Sequence, residues 1–216
     1  MDENRFCPSP LPSLFFRYFL YGALLAAMVF AMDWEARFLP PSERFSESSL
    51  IEKLQIVLLA VAQILGWVMA RKSPEKKALG IFIAGFALMA MIRELDAFFD
   101  HALFDGAWQC ALFLVACATF YALWKSPTTK NLPPFSCSSA FGFLTTGAFV
   151  VLVISRLMGR SALWRAIMEE SYMRIVKNAV EESVELMGYA LILLGVIELF
   201  WVAAPTAMST DSKKSK

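Results

Sequence analysis

Apolar residues form six long runs along this chain, and short polar or proline-containing segments separate them. The runs lie at about residues 14–32, 50–70, 78–99, 107–124, 138–157 and 181–203. A helix needs about 20 apolar residues to cross the hydrocarbon core of a bilayer, so each run is long enough for one crossing. The pattern therefore predicts an all-α membrane protein in which residues 14–203 form one domain of six transmembrane helices.

The first apolar run has two interpretations. Residues 1–13 are polar and contain prolines, which predicts a short tail before a retained transmembrane helix. A cleaved secretory signal is the alternative, because residues 29–31 loosely match a cleavage site flanked by small residues. Asp2 and Glu3 are atypical of the leading segment of such a signal, so the retained helix is favoured.

The segment at 160–177 differs from the spans because apolar and charged residues alternate along it. Leu163, Trp164 and Ile167 recur at spacings of three and four, and charged residues such as Arg165 fall between them. This spacing predicts an amphipathic helix that lies in the membrane interface before the last span.

The lysines are distributed unevenly between the two sides that six crossings define. One side receives the tail at 1–13, the turn at 71–77, the connection at 125–137 and the basic tail at 204–216. Eight of the ten lysines lie on that side: Lys72, Lys76, Lys77, Lys125, Lys130, Lys213, Lys214 and Lys216. The positive-inside rule makes this side cytoplasmic, together with both termini. The cations at 156–177 oppose this assignment, but the acids among them can pair with them.

Acidic residues concentrate on the opposite side of the predicted topology. Fourteen of the nineteen fall there or at helix ends that reach it. Glu52 opens the second span, Glu94 closes the third, and Glu185 lies at the opening of the sixth. Arg93 lies about 22 Å along the third helix from Ala78, which is within the membrane. Ionisable groups at that depth are costly and usually functional, so we expect these residues to face one another in one site.

Candidate roles follow from the chemistry of these side chains. Carboxyl groups in apolar surroundings can act as general acids or bases, and the candidate catalytic residues are Glu94, Asp96 and Glu185. Guanidinium groups bind anionic ligand groups. The candidate substrate-binding residues are Arg93, Arg156, Arg160, Glu52, Glu181 and Trp108. Two alternatives stay open: Trp108 also fits an aromatic belt, and Arg93 also fits an ion pair that locks helices together.

A divalent metal is a weaker hypothesis for the same region. Carboxylates with one imidazole suit manganese, iron or zinc, and the weak candidate ligands are Glu94, Asp100, His101, Glu181 and Glu185. On a continuous third helix Arg93, Asp96 and Asp100 share one face, and Glu94 and His101 share the neighbouring one. Neither HExxH nor Glu-x-x-His occurs, so no ligand set is firm and the cofactor stays unknown. The four cysteines lack a CxxC spacing and are interpreted as packing residues.

Four segments of the chain carry a resemblance to a known family. They are LIEKLQ at 50–55, IRELDAFFDHALFDGAW at 92–108, SRLMGRSALWRAI at 155–167 and VEESVELMGYALILLGVIE at 180–198. In these segments the chain resembles an uncharacterised family of small multi-pass inner-membrane proteins of bacteria. The resemblance implies six spans and an inner-membrane location, and it brings no activity with it. Known intramembrane enzymes fit poorly; for example, Leu186 stands where a CAAX-type protease motif starting at Glu181 needs arginine.

The leading functional hypothesis is an inner-membrane enzyme or binding protein for a lipid or lipid-linked substrate at the outer leaflet. A non-catalytic accessory subunit, in contact with other membrane subunits, is the alternative. A carrier of protons or cations has less support, because the first, fourth and fifth spans contain few polar residues that could extend a path. The net charge is +1, so there is no excess of basic residues that would indicate nucleic acid as a partner. The predicted spans make membrane lipids the expected partners.

Overall fold

The computed structural model describes residues 11–40, 44–45, 49–126 and 138–201. Helices make up 90% of the described residues, and no strand occurs among them. The predicted basic tail at 204–216, most of the tail at 1–13 and most of the connection at 125–137 lie outside the described residues.

The helices of the described residues follow one another with short connections. They are α1 (Leu11–Phe38), α2 (Leu50–Lys72), α3 (Lys77–Glu94), α4 (Asp96–Ala102), α5 (Ala107–Lys125), α6 (Ser139–Phe149), α7 (Ser155–Met158), α8 (Ser161–Met168) and α9 (Arg174–Trp201). A 3₁₀ turn at Pro74–Lys76 precedes α3, and another at Glu169–Ser171 follows α8. A π-helical segment, Val150–Ile154, joins α6 to α7.

Five helical stretches of the described residues are long and apolar enough to cross a membrane. They are Ser13–Phe38, Leu50–Lys72, Ala107–Lys125, Ser139–Met158 and Arg174–Phe200. The stretch through α3 meets the same criterion only together with α4, and the two are bent by 65°. The described residues therefore contain five such stretches, or six if the bent pair is one span. This confirms the all-α class and the presence of several helices that are long and apolar enough to cross a membrane.

The bend lies at Leu95, inside the run that the sequence predicts as one span over 78–99. Leu95 donates a backbone hydrogen bond to the carbonyl of Met91 at 3.1 Å, which closes the last turn of α3. The carboxylate of Asp96 then accepts from the N–H of Ala97 at 2.6 Å. An aspartate that bonds to nearby backbone competes with the helical pattern, and this favours a new helix start here. The shared faces expected of a continuous third helix are therefore interrupted.

The segment predicted as one interfacial helix over 160–177 is divided in the structure. α8 ends at Met168, because Glu169 adopts a φ of 50° and a ψ of −121° that cannot continue a helix. After the turn that follows, α9 starts at Arg174 rather than at the predicted 181.

The protein divides into two compact units. Unit 1 contains the residues up to Gln55 together with Gly147–Ala190. Unit 2 contains Ile56–Thr146 together with the residues from Leu191 onward. α2, α6 and α9 each contribute residues to both units.

In unit 1 a buried carboxylate holds the connection between α1 and α2. Glu35 is fully buried and accepts hydrogen bonds from the backbone N–H groups of Phe45 at 2.7 Å and Ile51 at 3.1 Å. Ser49 caps α2 by accepting from the N–H of Glu52 at 3.1 Å. The sequence pattern ends the first span at residue 32 and leaves Glu35 in a loop, whereas α1 continues past it.

In unit 2 small residues let α2 and α3 approach closely. Gly66 and Ala70 lie four residues apart on α2, and Gly80 and Ala84 do the same on α3. A Cβ on Gly80 would lie 2.6 Å from both the nitrogen of Ala70 and the carbonyl oxygen of Gly66. Small residues at this spacing are typical of helix pairs in membranes, where close backbone contact drives association.

Two polar contacts hold the last turns of α9 in unit 2. Lys76 donates from Nζ to the carbonyl oxygen of Leu199 at 2.7 Å, which satisfies one of the carbonyls at the helix end. Ser139 donates from Oγ to the buried carboxylate of Glu198 at 2.8 Å. Glu198 is therefore a hydrogen-bonded core residue.

Candidate functional site

The site residues predicted from the sequence fall into two groups, one in each unit. Unit 1 contains Glu52, Arg156, Arg160, Glu181 and Glu185. Unit 2 contains Arg93, Glu94, Asp96, Asp100, His101 and Trp108. In unit 1, residues of α7 and α9 form a connected network of ion pairs.

Arg156, Lys177, Glu181 and Glu185 form this network, which we call the Arg156 network. α9 presents Lys177, Glu181 and Glu185 on one face because they are four residues apart. Arg156 Nη1 lies 3.4 Å from Glu181 Oε1, and Arg156 Nη2 pairs with Glu185 Oε1. Lys177 Nζ lies 2.8 Å from Glu181 Oε2. Two cations thus offset two carboxylates.

The two partners of the central ion pair differ strongly in exposure. The side chain of Glu185 is 1% exposed, whereas that of Arg156 is 44% exposed. A buried carboxylate needs a nearby cation or hydrogen-bond donors, since desolvation makes an isolated buried charge very costly. Glu185 therefore anchors Arg156 from the inside, and the outer edge of the guanidinium stays accessible.

Ser155 supports Glu185 from the neighbouring position on α7. It is fully buried, and its hydroxyl lies 2.5 Å from the carbonyl oxygen of Val151 and 3.2 Å from Glu185 Oε1. One hydroxyl proton can serve only one of these acceptors at a time. A buried hydroxyl in this position helps to fix the orientation of the Glu185 carboxylate, and it is poorly placed to attack a substrate.

Gly159 gives the carboxylate of Glu181 its place beside α7. A Cβ at this position would overlap the carboxyl atoms of Glu181. Gly159 also donates its N–H to the carbonyl of Ser155 at 2.7 Å, which closes α7. The carboxylate of Glu181 thus occupies the space that a side chain at this position would take, and spacing in the sequence gave no signal of it.

Gln55 is a buried polar residue of unit 1 that the sequence reasoning missed. Its side-chain Nε2 donates to the backbone carbonyl of Glu182 at 3.1 Å and to Glu182 Oε2 at 3.0 Å. Its Oε1 is buried and has no hydrogen-bond partner among the described residues. The sequence did contain an indication of this residue, because a polar amide side chain stands within an apolar helix one turn after Glu52.

The other predicted binding residues of unit 1 lie at helix starts. Glu52 is half-buried in the first turn of α2, where a negative charge complements the helix dipole. Arg160 is exposed and immediately precedes α8. The structure thus joins Arg156, Glu181 and Glu185 directly, and it places Glu52 and Arg160 in the same unit.

In unit 2, Arg93 and Glu94 close α3. Arg93 Nη1 lies 3.3 Å from Glu94 Oε1, and the side chain of Glu94 is 7% exposed. Asp96, beyond the bend, is exposed and bonds to the N–H of Ala97. Asp96 therefore starts α4 and serves the backbone, while Glu94 belongs to the end of α3.

Asp100 also serves the backbone. It accepts from the N–H of Gly106 at 2.9 Å, and Gly106 has a φ of 87° in the turn that leads into α5. His101 is exposed, and Trp108 is half-buried in the first turn of α5. Of the candidate metal ligands, Asp100 thus holds a turn, while Glu181 and Glu185 are paired with cations.

Over the residues that the structure describes, fold and site define a class: an all-helical protein with five or six helices suited to crossing a membrane and a partly exposed ion-pair network in unit 1. No family model, no curated protein and no solved structure matches this chain.

Proposed function

We propose that this chain is a multi-pass protein of the bacterial inner membrane that binds a lipid or lipid-linked molecule through its anionic group. Arg156 is the proposed anion-binding residue. The supporting observation is that its side chain is 44% exposed while the carboxylate that holds it is 1% exposed. A cation anchored in this way is positioned before the ligand arrives, so less conformational entropy is lost on binding.

The donors of Arg156 support the same role. A guanidinium carries five N–H donors in a planar fork. Glu181 and Glu185 each engage one terminal nitrogen, and no other carboxylate pairs with Arg156 among the described residues. The remaining donors can bind a phosphate or a carboxylate. Hydrogen bonds between a guanidinium and such an anion are stronger than hydrogen bonds between neutral groups.

Binding is better supported than catalysis. Glu185, a predicted acid or base, is committed to Arg156 and approached by Ser155, which suits a positioning role. Asp96, another predicted catalytic residue, bonds to adjacent backbone. Glu94 pairs with Arg93 at the end of α3. Enzymatic activity therefore stays a prediction, and lipid binding is the function put forward.

The proposal includes a topology of six crossings, with α3 and α4 as the third and both termini in the cytoplasm. Because successive spans cross the membrane in opposite directions, this topology has Arg156 on the outer side and α8 in the outer interface. Exposed apolar side chains on α8, Leu163 and Ile167, support the interfacial position. A fluorescent reporter fused after Lys216 should fold in the cytoplasm, and an oxidation-dependent reporter inserted at Ser171 should be active outside. The reverse pattern contradicts the topology.

Lipid retention tests the binding function. The full chain and its Arg156→Gln, Arg156→Lys and Arg156→Gln/Glu185→Gln variants are purified in mild detergent, and co-purified lipids are quantified by mass spectrometry. The double variant keeps the core free of an unpaired buried charge. We expect anionic lipids to fall at least about tenfold in both Gln variants and to persist in part in the Lys variant. Arg71→Gln removes an exposed cation elsewhere and serves as the control. Unchanged lipid in the double variant contradicts the proposal.

An accessory subunit is the second candidate function. It is favoured by the internal pairing of Arg156 and Lys177 with carboxylates of the same chain, which suits a purely structural network. In that case the double variant lowers stability or the retention of a partner subunit and leaves bound lipid unchanged. A carrier has less support, because α5 contains no charged residue between Ala107 and Trp124.

A further inference from the structure

We infer that Glu182, Glu185 and Gln55 of unit 1 form a binding site for a divalent cation of the calcium, magnesium and manganese class. The three residues lie where the start of α2 meets α9. The inference goes beyond the proposed function, because it concerns a second ligand and does not depend on lipid binding. Its basis is the position of a buried amide beside two neighbouring carboxylates, with an amide oxygen that has no hydrogen-bond partner among the described residues.

Glu182 and Glu185 bring two carboxylates together on one face of α9. They are three residues apart, and a carboxylate oxygen of Glu182 lies within 4.8 Å of one of Glu185. Like charges at this distance repel, and burial strengthens the repulsion because water screens it less. The side chain of Glu185 is 1% exposed, whereas Glu182 is half-buried. An ion can therefore reach the pair from the side of Glu182.

The amide of Gln55 is the second, independent observation. Gln55 is fully buried, and its Nε2 lies 3.0 Å from Glu182 Oε2, which places the amide beside the carboxylates. The reversed amide would turn Oε1 toward two oxygens of Glu182, so the hydrogen bonds fix which atom faces them. Oε1 is then a buried acceptor without a donor in the described part of the chain. Such an acceptor is costly, and a bound cation removes that cost.

The donor atoms select the class of the cation. Two carboxylates and one amide carbonyl offer oxygen alone, which is the donor set that calcium, magnesium and manganese prefer. These three side chains include no imidazole and no thiolate, which are the ligands that hold zinc and copper best. Two carboxylates also favour a divalent ion over a monovalent one, because the attraction grows with the charge of the ion.

Arg156 shares the carboxylate of Glu185 with the proposed ion. Its guanidinium pairs with Glu185 Oε1, and the hydroxyl of Ser155 lies 3.2 Å from the same oxygen. A carboxylate has two oxygens and can accept from several partners at once. The positive charge of Arg156 nevertheless opposes a second cation at Glu185, so its removal should strengthen ion binding. The loss of a carboxylate or of the amide should weaken it.

Electron paramagnetic resonance of manganese tests the inference, because the signal of free Mn²⁺ falls when the ion binds. The full chain is delipidated in mild detergent, treated with a chelator and titrated with Mn²⁺. We expect one bound ion per chain, displaced by Ca²⁺ but not by Na⁺ at equal ionic strength. Glu182→Gln and Gln55→Leu should each weaken binding at least about tenfold, and Arg156→Gln should strengthen it about threefold. Glu170→Gln removes an exposed carboxylate of the same unit and should leave the affinity unchanged.

The contrary outcomes each overturn the inference. If the unmodified chain binds no Mn²⁺, an ordered water satisfies Gln55 and the site is not a cation site. This result needs no variant, so it holds even where a variant fails to fold. Displacement by Na⁺ identifies unspecific attraction to acidic groups, and equal binding in Glu182→Gln and Glu170→Gln places the ion elsewhere. Unchanged affinity in Arg156→Gln separates the ion from Glu185. Lipid retention is measured independently, so the proposed function can stand when this inference fails.

Discussion

The unequal burial of Arg156 and Glu185 predicts that removing one partner destabilises the protein much more than removing the other. Loss of Arg156 leaves Glu185, which is 1% exposed, without its cation. Breaking a buried pair in this way costs about 3–5 kcal/mol, and the lower value applies because Arg156 is partly solvated. Ser155 also keeps its contact with Glu185. We therefore expect Arg156→Gln to lower the free energy of unfolding by about 3 kcal/mol.

The reverse change should be milder. Glu185→Gln leaves Arg156 in contact with Glu181 and with its surroundings, so the loss should be about 1 kcal/mol. Arg156→Gln/Glu185→Gln removes both charges and should also cost only about 1 kcal/mol. If the two replacements acted independently, the double variant would lose about 4 kcal/mol. The difference between this sum and the expected loss of about 1 kcal/mol is a coupling energy of about 3 kcal/mol between the two side chains.

Equilibrium unfolding in mixed micelles, titrated with sodium dodecyl sulfate and followed by circular dichroism, measures these differences. Arg71→Gln controls for the loss of an exposed cation and should change the free energy of unfolding by less than about 0.5 kcal/mol. A Glu185→Gln variant as unstable as Arg156→Gln would refute the burial argument. An additive double variant would show that the two side chains do not depend on each other.

Two further predictions use the same unfolding assay. Gly80→Ala should cost about 2 kcal/mol, because its Cβ would meet backbone atoms of α2 at 2.6 Å; Gly22→Ala, whose Cβ has nothing within 4 Å, should be neutral or slightly stabilising. Equal losses would show that α2 and α3 do not pack this closely. Glu35→Ala should cost about 3 kcal/mol and expose the α1–α2 connection to proteolysis, because two buried N–H groups lose their acceptor. Asp33→Ala, which removes an exposed ion pair on the same helix, should cost less than about 0.5 kcal/mol, and a similar loss in both variants would contradict the role of Glu35.

The two candidate functions depend on the same ion-pair network but assign it different consequences. In the binding hypothesis, Glu185 is a positioning residue, so its replacement reduces lipid retention through the orientation of Arg156. In the accessory-subunit hypothesis, the same replacement lowers stability or the retention of a partner subunit and leaves bound lipid unchanged. Stability and lipid retention measured on one set of variants therefore distinguish the two.

Local properties of the sequence determined the helical class and the approximate positions of the apolar helices. A long apolar run must satisfy its backbone hydrogen bonds internally in a membrane, and a helix does this without help from distant residues. The observed starts at Leu50 and Ala107 therefore agree with those expected from the pattern. Helix ends near polar residues were less predictable. The pattern ends the first span at residue 32, whereas α1 continues to Phe38 and includes Glu35, a buried residue of the core.

Only the tertiary structure decided which charged residues meet and which serve the backbone. Arg156 and Arg160 look alike in the sequence, yet Arg156 pairs with two carboxylates of α9 and Arg160 stays exposed. Asp96 and Asp100 look like site residues, yet they bond to the backbone at a bend and a turn. The physical reason is that an ion pair between distant residues depends on how two helices pack, and packing is set by contacts that spacing along one helix does not encode.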